Sequence, residues 1–208
     1  MQDTWRQDTE VIYPPVDVTE IQAVEDWSAR LNDQELVVLR SLPDGYLLGA
    51  SRLVPYKRLD LVIRAGEASR RPVVIAGSGP EEDALRTLAR HADVDVRFVD
   101  SPSNSLLRAL YQRAFAFVFP AVEDFGIMPV EAMALGTPVI GRNLGGVSET
   151  VADGVTGVLV DDWSSPELAS LIRRLDELDK TTIRAHSVNF SKEKFVAHLH
   201  SWMSDSLR

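Results

Sequence analysis

At 208 residues the chain suffices for one sizeable domain with a real core and is too short for two full ones; a composition of 45% hydrophobic and 25% charged residues excludes the disordered classes. Asp and Glu outnumber Lys and Arg by 31 to 22, and the net charge of -9 has the wrong sign for holding nucleic acid through phosphate neutralisation. The absence of cysteine excludes disulfides, thiolate nucleophiles and zinc-thiolate sites, while the leading MQDTWRQDTE lacks a basic-then-apolar leader and no window reaches bilayer-spanning length, so a soluble cytoplasmic chain is expected.

In chain order, TEVIYPPVDV (9–18) reads as a short β-like run stopped by Pro14 and Pro15. The acidic, weakly helical stretch that follows, to about residue 45, reads with it as a lead-in segment (9–45) rather than a separate domain. From residue 46 onward, β-branched runs alternate with helical patterns, the signature of repeated βα units and a parallel sheet covered on both faces. Strands are predicted at 46–51, 72–77, 95–100, 116–121, 138–142 and 156–161. Helices are predicted near 58–69, 81–91, 103–113, 126–135, 147–152 and 165–179. The expected fold is α/β, a single Rossmann-like doubly wound parallel sheet of about six strands with helices on both faces, its core at 46–180. FSKEKFVAHLHSWMSDSL (190–207) carries an N-cap Ser191 and apolar Phe195, Leu199 and Met203 at helical spacing, a last helix that packs locally or against a missing partner.

Right-handed crossovers place the loops after each strand along one edge, where open α/β sheets bind ligands. After the first strand, SRLVPYKR (51–58) holds two cations, Arg52 and Lys57, around the stiff Pro55 near a helix start, an arrangement suited to an anion. On charge alone a solvated basic turn is the simpler reading. After the second strand, GSGP (77–80) lacks the third glycine of the dinucleotide fingerprint, with Glu82 standing in its place, so a tight strand-to-helix turn is expected and hydride chemistry is disfavoured.

The stretch AVEDFGIMPVEAMALGTPVI (121–140) is more specific. Glu123 and Asp124 fall in the loop, Phe125, Gly126 and Ile127 begin the turn into a helix, and Pro129 suits its first turn. Carboxylate acceptors beside outward-pointing backbone N–H donors suit a polyol. Glu131, with Val130, Ala132, Met133, Ala134 and Leu135 around it, has little polar company and costs desolvation energy unless a partner such as a ribose meets it. The glycines of GGVSET (145–150) let backbone approach a ligand or simply turn the chain. His91, His186, His198 and His200 do not fit a metal motif and are read as surface residues; Asp161 and Asp162 lack a third ligand.

VIYPPVD (11–17), ASRLVPYKRLDLVI (50–63), AGSGPE (76–81), the Glu123-to-Glu131 run continuing as AMALGTPVI, and GGVSETVADGVTGVLV (145–160) together resemble the retaining glycosyltransferases of family 4, in that family's order over roughly residues 9 to 200. The chain is similar to the C-terminal, donor-binding domain of a GT-B enzyme, and most similar to the family's bacterial mannosyltransferases. The resemblance implies that Arg52 and Lys57 bind the donor diphosphate and stabilise the leaving group, without metal or other cofactor. It implies that Glu123, with the backbone of Phe125, Gly126 and Ile127, binds sugar hydroxyls, and that Glu131 binds the ribose. The base would lie at Ser101, Pro102, Ser103 and Leu107, where Asp100 stands in place of a common glycine. The implied reaction passes a hexose from GDP-mannose, or a UDP-hexose, to a hydroxyl acceptor. Family resemblance gives acceptor binding and a functional histidine to an N-terminal half, so this chain is expected to be an excised domain or half of a two-chain enzyme, with no complete catalytic set and no activity alone. A non-catalytic sugar-nucleotide sensor or interaction module is the rival reading.

Overall fold

Six four-residue strands carry the structure: β1 (Leu47–Ala50), β2 (Val73–Ala76), β3 (Val96–Val99), β4 (Ala116–Phe119), β5 (Val139–Arg142) and β6 (Gly157–Val160). The computed structural model describes residues 10–164 and 166–206; the sequence features read at 1–9, Ser165 and 207 lie outside the described residues. All six strands pair in parallel in the order β3-β2-β1-β4-β5-β6. Every residue of β1, β2 and β4 is buried. Alternate side chains enter two different cores: Leu47, Val73, Ile75, Ala116 and Val118 pack on one face, Leu48, Val74, Ala76, Phe117 and Phe119 on the other. Two covered faces explain why these strands read as continuous apolar runs without alternation. The edge strand β3 is only half-buried.

The helices are α1 (Val18–Gln22), α2 (Asp33–Ser41), α3 (Asp60–Ser69), α4 (Glu82–Arg90), α5 (Asn104–Arg113), α6 (Ile127–Ala134), α7 (Val147–Thr150), α8 (Leu168–Arg173), α9 (Lys180–Ser187) and α10 (Lys192–Ser206). Each predicted strand and helix is present with one or both ends trimmed, where terminal residues leave the regular hydrogen-bond ladder. The helix expected at 165–179 is divided, α8 giving way to a 3-10 turn at Arg174–Glu177.

The lead-in segment departs from its β-like reading. Only Val16 makes a bridge, to Ser191, and its N–H donates to the Phe190 carbonyl at 2.9 Å. Pro14 and Pro15 have no N–H to extend a ladder. Instead the segment lies against the end of α9 and the start of α10: Gln22 donates to the Arg184 carbonyl at 3.0 Å, and Asp17 pairs with Lys192. His186 also departs from expectation, because it is half-buried, with Nε2 at 2.9 Å from the Thr150 carbonyl and its ring against Phe190. Among the described residues no helix is long and apolar enough to cross a membrane.

Candidate functional site

The strand order reverses direction at β1, whose neighbours are β2 and β4. In an open parallel sheet the crevice forms at that switch point, outside the C-terminal ends of the two strands. Here those ends lead into the loops carrying Arg52 and Lys57 on one side and Glu123 to Gly126 on the other. The two loops meet: Lys57 Nζ forms an ion pair with Glu123 Oε1, the side chains being 13% and 29% exposed. The Lys57 ammonium also lies 5.1 Å from the centre of the Tyr56 ring and 6.0 Å from that of Phe119. Arg52 differs. It is exposed and makes no ion pair or side-chain hydrogen bond among the described residues. Helix α3 begins only at Asp60, whose carboxylate binds Arg58 at 2.9 Å, so its own first turn already carries a paired acid and the anion-site signal read from that helix start is blunted.

Packing between loops explains the glycines. Gly77 has φ of 132°, and a Cβ there would lie 1.9 Å from the Ser51 carbonyl oxygen, so only glycine lets the loop after β2 lie against the loop after β1. At Gly146 a Cβ would come within 2.3 Å of Phe125 Cα, while the Gly146 N–H donates to the Glu123 carbonyl at 2.7 Å. The glycine pair thus lets this turn lie directly against the Glu123–Phe125 loop. Gly126, at φ of 91°, starts α6 with no side chain capping the helix, which leaves the N–H groups of its first turn at the crevice.

Two cavities share Met128 at the start of α6, and Glu123 lines the larger of them. One, of about 240 Å³, is lined by Arg52, Ser78, Ser101, Pro102 and Leu107 among others. The second, of about 480 Å³, is lined by Pro14, Glu123, Phe125, Gly126 and Ile127. Ser101 sits at φ of 42°, its hydroxyl within 3.0 Å of both Ser78 Oγ and Asp100 Oδ1, which holds the strained residue in place. Ser103 does not line the cavity. It is the N-cap of α5, accepting from Leu106 N–H and donating to Glu35 at 2.5 Å, because a serine one residue before a helix satisfies an orphan N–H. A larger cavity of about 770 Å³, lined by Pro43, Pro72, Asp93 and Asp95, opens beside the starts of β2 and β3, at the opposite edge of the sheet from these loops.

Glu131 lies one helical turn beyond Met128 on α6, half-buried, with no hydrogen bond or ion pair among the described residues. Burial pushes its carboxyl above the usual range, Arg108 on α5 opposes that shift, and Asp17 adds to it. The fully buried Tyr111 phenol beside it has no partner and is itself pushed up, first by burial and then by Glu131. Arg108 stacks on the Trp27 ring at 4.5 Å. Sequence reasoning missed Ser78, Met128, Pro14 and Arg108. Ser78 and Met128 sit in motifs read for their glycines and acids, whereas Pro14 and Arg108 have no local signal. Among the described residues no three His, Asp or Glu side chains gather as a metal site.

A six-stranded parallel sheet with this strand order and helices on both faces defines a Rossmann-like architecture, and the profile of Glycosyl transferases group 1 matches residues 37–200. The chain belongs to that family. D-inositol 3-phosphate glycosyltransferase of Corynebacterium glutamicum is 33% identical over 217 residues, covering 95% of this chain and 51% of the relative. The GDP-mannose-dependent alpha-(1-6)-phosphatidylinositol monomannoside mannosyltransferase of Mycobacterium tuberculosis is 37% identical over 140 residues, 60% of this chain and 36% of the relative. The crystal structure of Anabaena HepE in complex with UDP superposes with a TM-score of 0.76 at 23% identity, covering 95% of this chain and 57% of that one. The fold is thus that of one Rossmann-like domain of a GT-B glycosyltransferase, and the chain spans about half the length of the curated relatives it matches.

Proposed function

We propose that this chain is the donor-binding domain of a retaining hexosyltransferase of family 4, taking a nucleoside diphosphate sugar at the switch-point crevice. The observation that carries the reading is the meeting of Lys57 and Glu123 across the β1 and β4 loops, with Glu123 lining one cavity and Arg52 a second that shares Met128 with it. A diphosphate takes the place of Glu123 at Lys57 and gains Arg52. The displaced Glu123 carboxylate then accepts hydrogen bonds from sugar hydroxyls, alongside the N–H groups at the uncapped start of α6. Glu131 accepts from the ribose, which supplies the polar partner it lacks within the protein, and the smaller cavity at Ser101, Pro102 and Leu107 receives the base. As the bond from the anomeric carbon to the phosphate oxygen breaks, negative charge grows on that oxygen, and Lys57 and Arg52 stabilise it with little reorganisation.

GDP-mannose is the favoured donor and a UDP-hexose the second. The M. tuberculosis relative supports the first by its GDP-mannose dependence, and UDP bound to HepE supports the second. Acceptor binding belongs to a second domain, against which α10 packs, and this chain alone binds donor without turning it over. Calorimetric titration with GDP, UDP, ADP and their sugar conjugates tests the reading. One diphosphate series should bind, with its conjugate tighter; equal failure of all of them refutes it.

A further inference from the structure

The loop running from Glu123 to Gly126 is held from two sides. On one side the turn at Gly146 hydrogen-bonds the Glu123 carbonyl and packs directly on Phe125. On the other, the half-buried Tyr13 ring stacks on Phe125 with centroids 5.8 Å apart and planes 29° apart. Phe190 closes a triangle, 5.4 Å from Tyr13 and 5.8 Å from Phe125, both edge-on. Backbone bonding fixes the far end of the same segment, where Val16 donates to the Phe190 carbonyl, and Pro14 lines the cavity beside Glu123. Burial and the carboxylate of Glu149, on the α7 helix that follows Gly146, push the Tyr13 phenol up, so the hydroxyl end of the ring faces α7 while its face meets Phe125.

A loop that contains Gly126 and leans on Gly145 and Gly146 has little stiffness of its own, since glycine backbones carry the largest conformational freedom. Its geometry must come from what it packs against. We propose that Tyr13 is a positioning residue for the sugar side of the donor site: by clamping Phe125 it aims the Glu123 carboxylate and the first N–H groups of α6 at the sugar, without touching the nucleotide. This rests on the donor-binding reading above and deepens it, and it gives the VIYPPVD segment a task that its sequence does not announce.

The test compares the 208-residue chain with Tyr13→Ala and Tyr13→Phe, titrating GDP against GDP-mannose and UDP against UDP-glucose, and following hydrogen exchange of the Phe125 to Ile127 amides. Tyr13→Ala is expected to leave the nucleoside diphosphate affinity unchanged and to cut the extra affinity of the conjugate by about 3- to 10-fold, the scale of one aromatic pair. Exchange at Phe125 to Ile127 should quicken while that of β1 stays put. Tyr13→Phe keeps the ring and should restore both. Tyr13→Leu replaces the alanine variant should the latter fail to fold by circular dichroism. A parent-like conjugate increment in a ring-less variant overturns the proposal. Should the parent show no increment for any sugar, the donor reading falls, and exchange alone decides: unchanged Phe125 to Ile127 amides then overturn the role of Tyr13.

Discussion

Glu123→Gln separates the two partners of the central ion pair while keeping the shape of the side chain. At about 4 Å and an effective dielectric near 20, a unit pair interacts by about 4 kcal/mol before desolvation. Lys57 and Glu123 are 13% and 29% exposed, so the net contribution lies above that of a surface pair, at about 1 to 2 kcal/mol. The variant should therefore melt about 2 to 6 °C below the parent, because Lys57 keeps its half-buried charge without a neighbour. A nucleoside diphosphate supplies a replacement anion and no longer competes with a carboxylate. Its affinity should rise by about 1 kcal/mol, roughly fivefold, at low salt, and less at high salt as the charges are screened. The sugar conjugate should lose most of its advantage over the bare diphosphate, because the neutral amide offers one weaker acceptor where the carboxylate offered two charged ones, at a cost of about 1 to 3 kcal/mol. Calorimetry at two salt concentrations reads all three quantities. Equal weakening of bare diphosphate and conjugate would refute the reasoning, since Glu123 would then act by holding Lys57 in place and not by competing for it.

Lys57→Ala should weaken nucleoside diphosphate binding by about 1.5 to 3 kcal/mol, and unchanged calorimetric affinity would remove Lys57 from the diphosphate site. Glu131→Gln should weaken nucleotide and conjugate alike by about 1 to 2 kcal/mol, since both carry the ribose; a loss confined to the conjugate contradicts the assignment. The same variant has a signature in pH. Folding raises the Glu131 pKa, so the folded chain holds that proton more tightly, and stability falls as pH rises from the ordinary glutamate range through the raised folded value. Thermal melts should show Glu131→Gln more stable than the parent at neutral pH, with the gain vanishing below about pH 4, where the parent is protonated in both states. Incubated with nucleotide sugars and a panel of hydroxyl acceptors, the 208-residue chain should release no nucleoside diphosphate, because transfer needs an acceptor oxygen held near the anomeric carbon; robust acceptor-dependent release would show that it is not half an enzyme.

The order of the six strands and of the helices between them was legible in the sequence because each of those signals is local, whereas α9 was not predicted. Runs such as PVVIAG and AFVFPA mark themselves as strands buried on both faces by the absence of polar residues, and the place of Arg52, Lys57, Glu123 and Gly126 just after strands follows from the same pattern. The isolation of Glu131 was also legible, since its neighbours on α6 are apolar in every direction. What the sequence did not hold is which loops meet. Lys57 and Glu123 touch because β4 pairs with β1, an outcome of how the whole sheet packs and not of either loop. The VIYPPVD segment reads as a strand because its apolar residues are short and β-branched, yet its Tyr13 finds Phe125 and Phe190 from distant parts of the chain and the prolines deny it a ladder. Gly146 shows the same limit: its motif announces close approach, but only the folded chain determines that the approach is to Phe125, because a missing side chain says that space is needed and not what fills it.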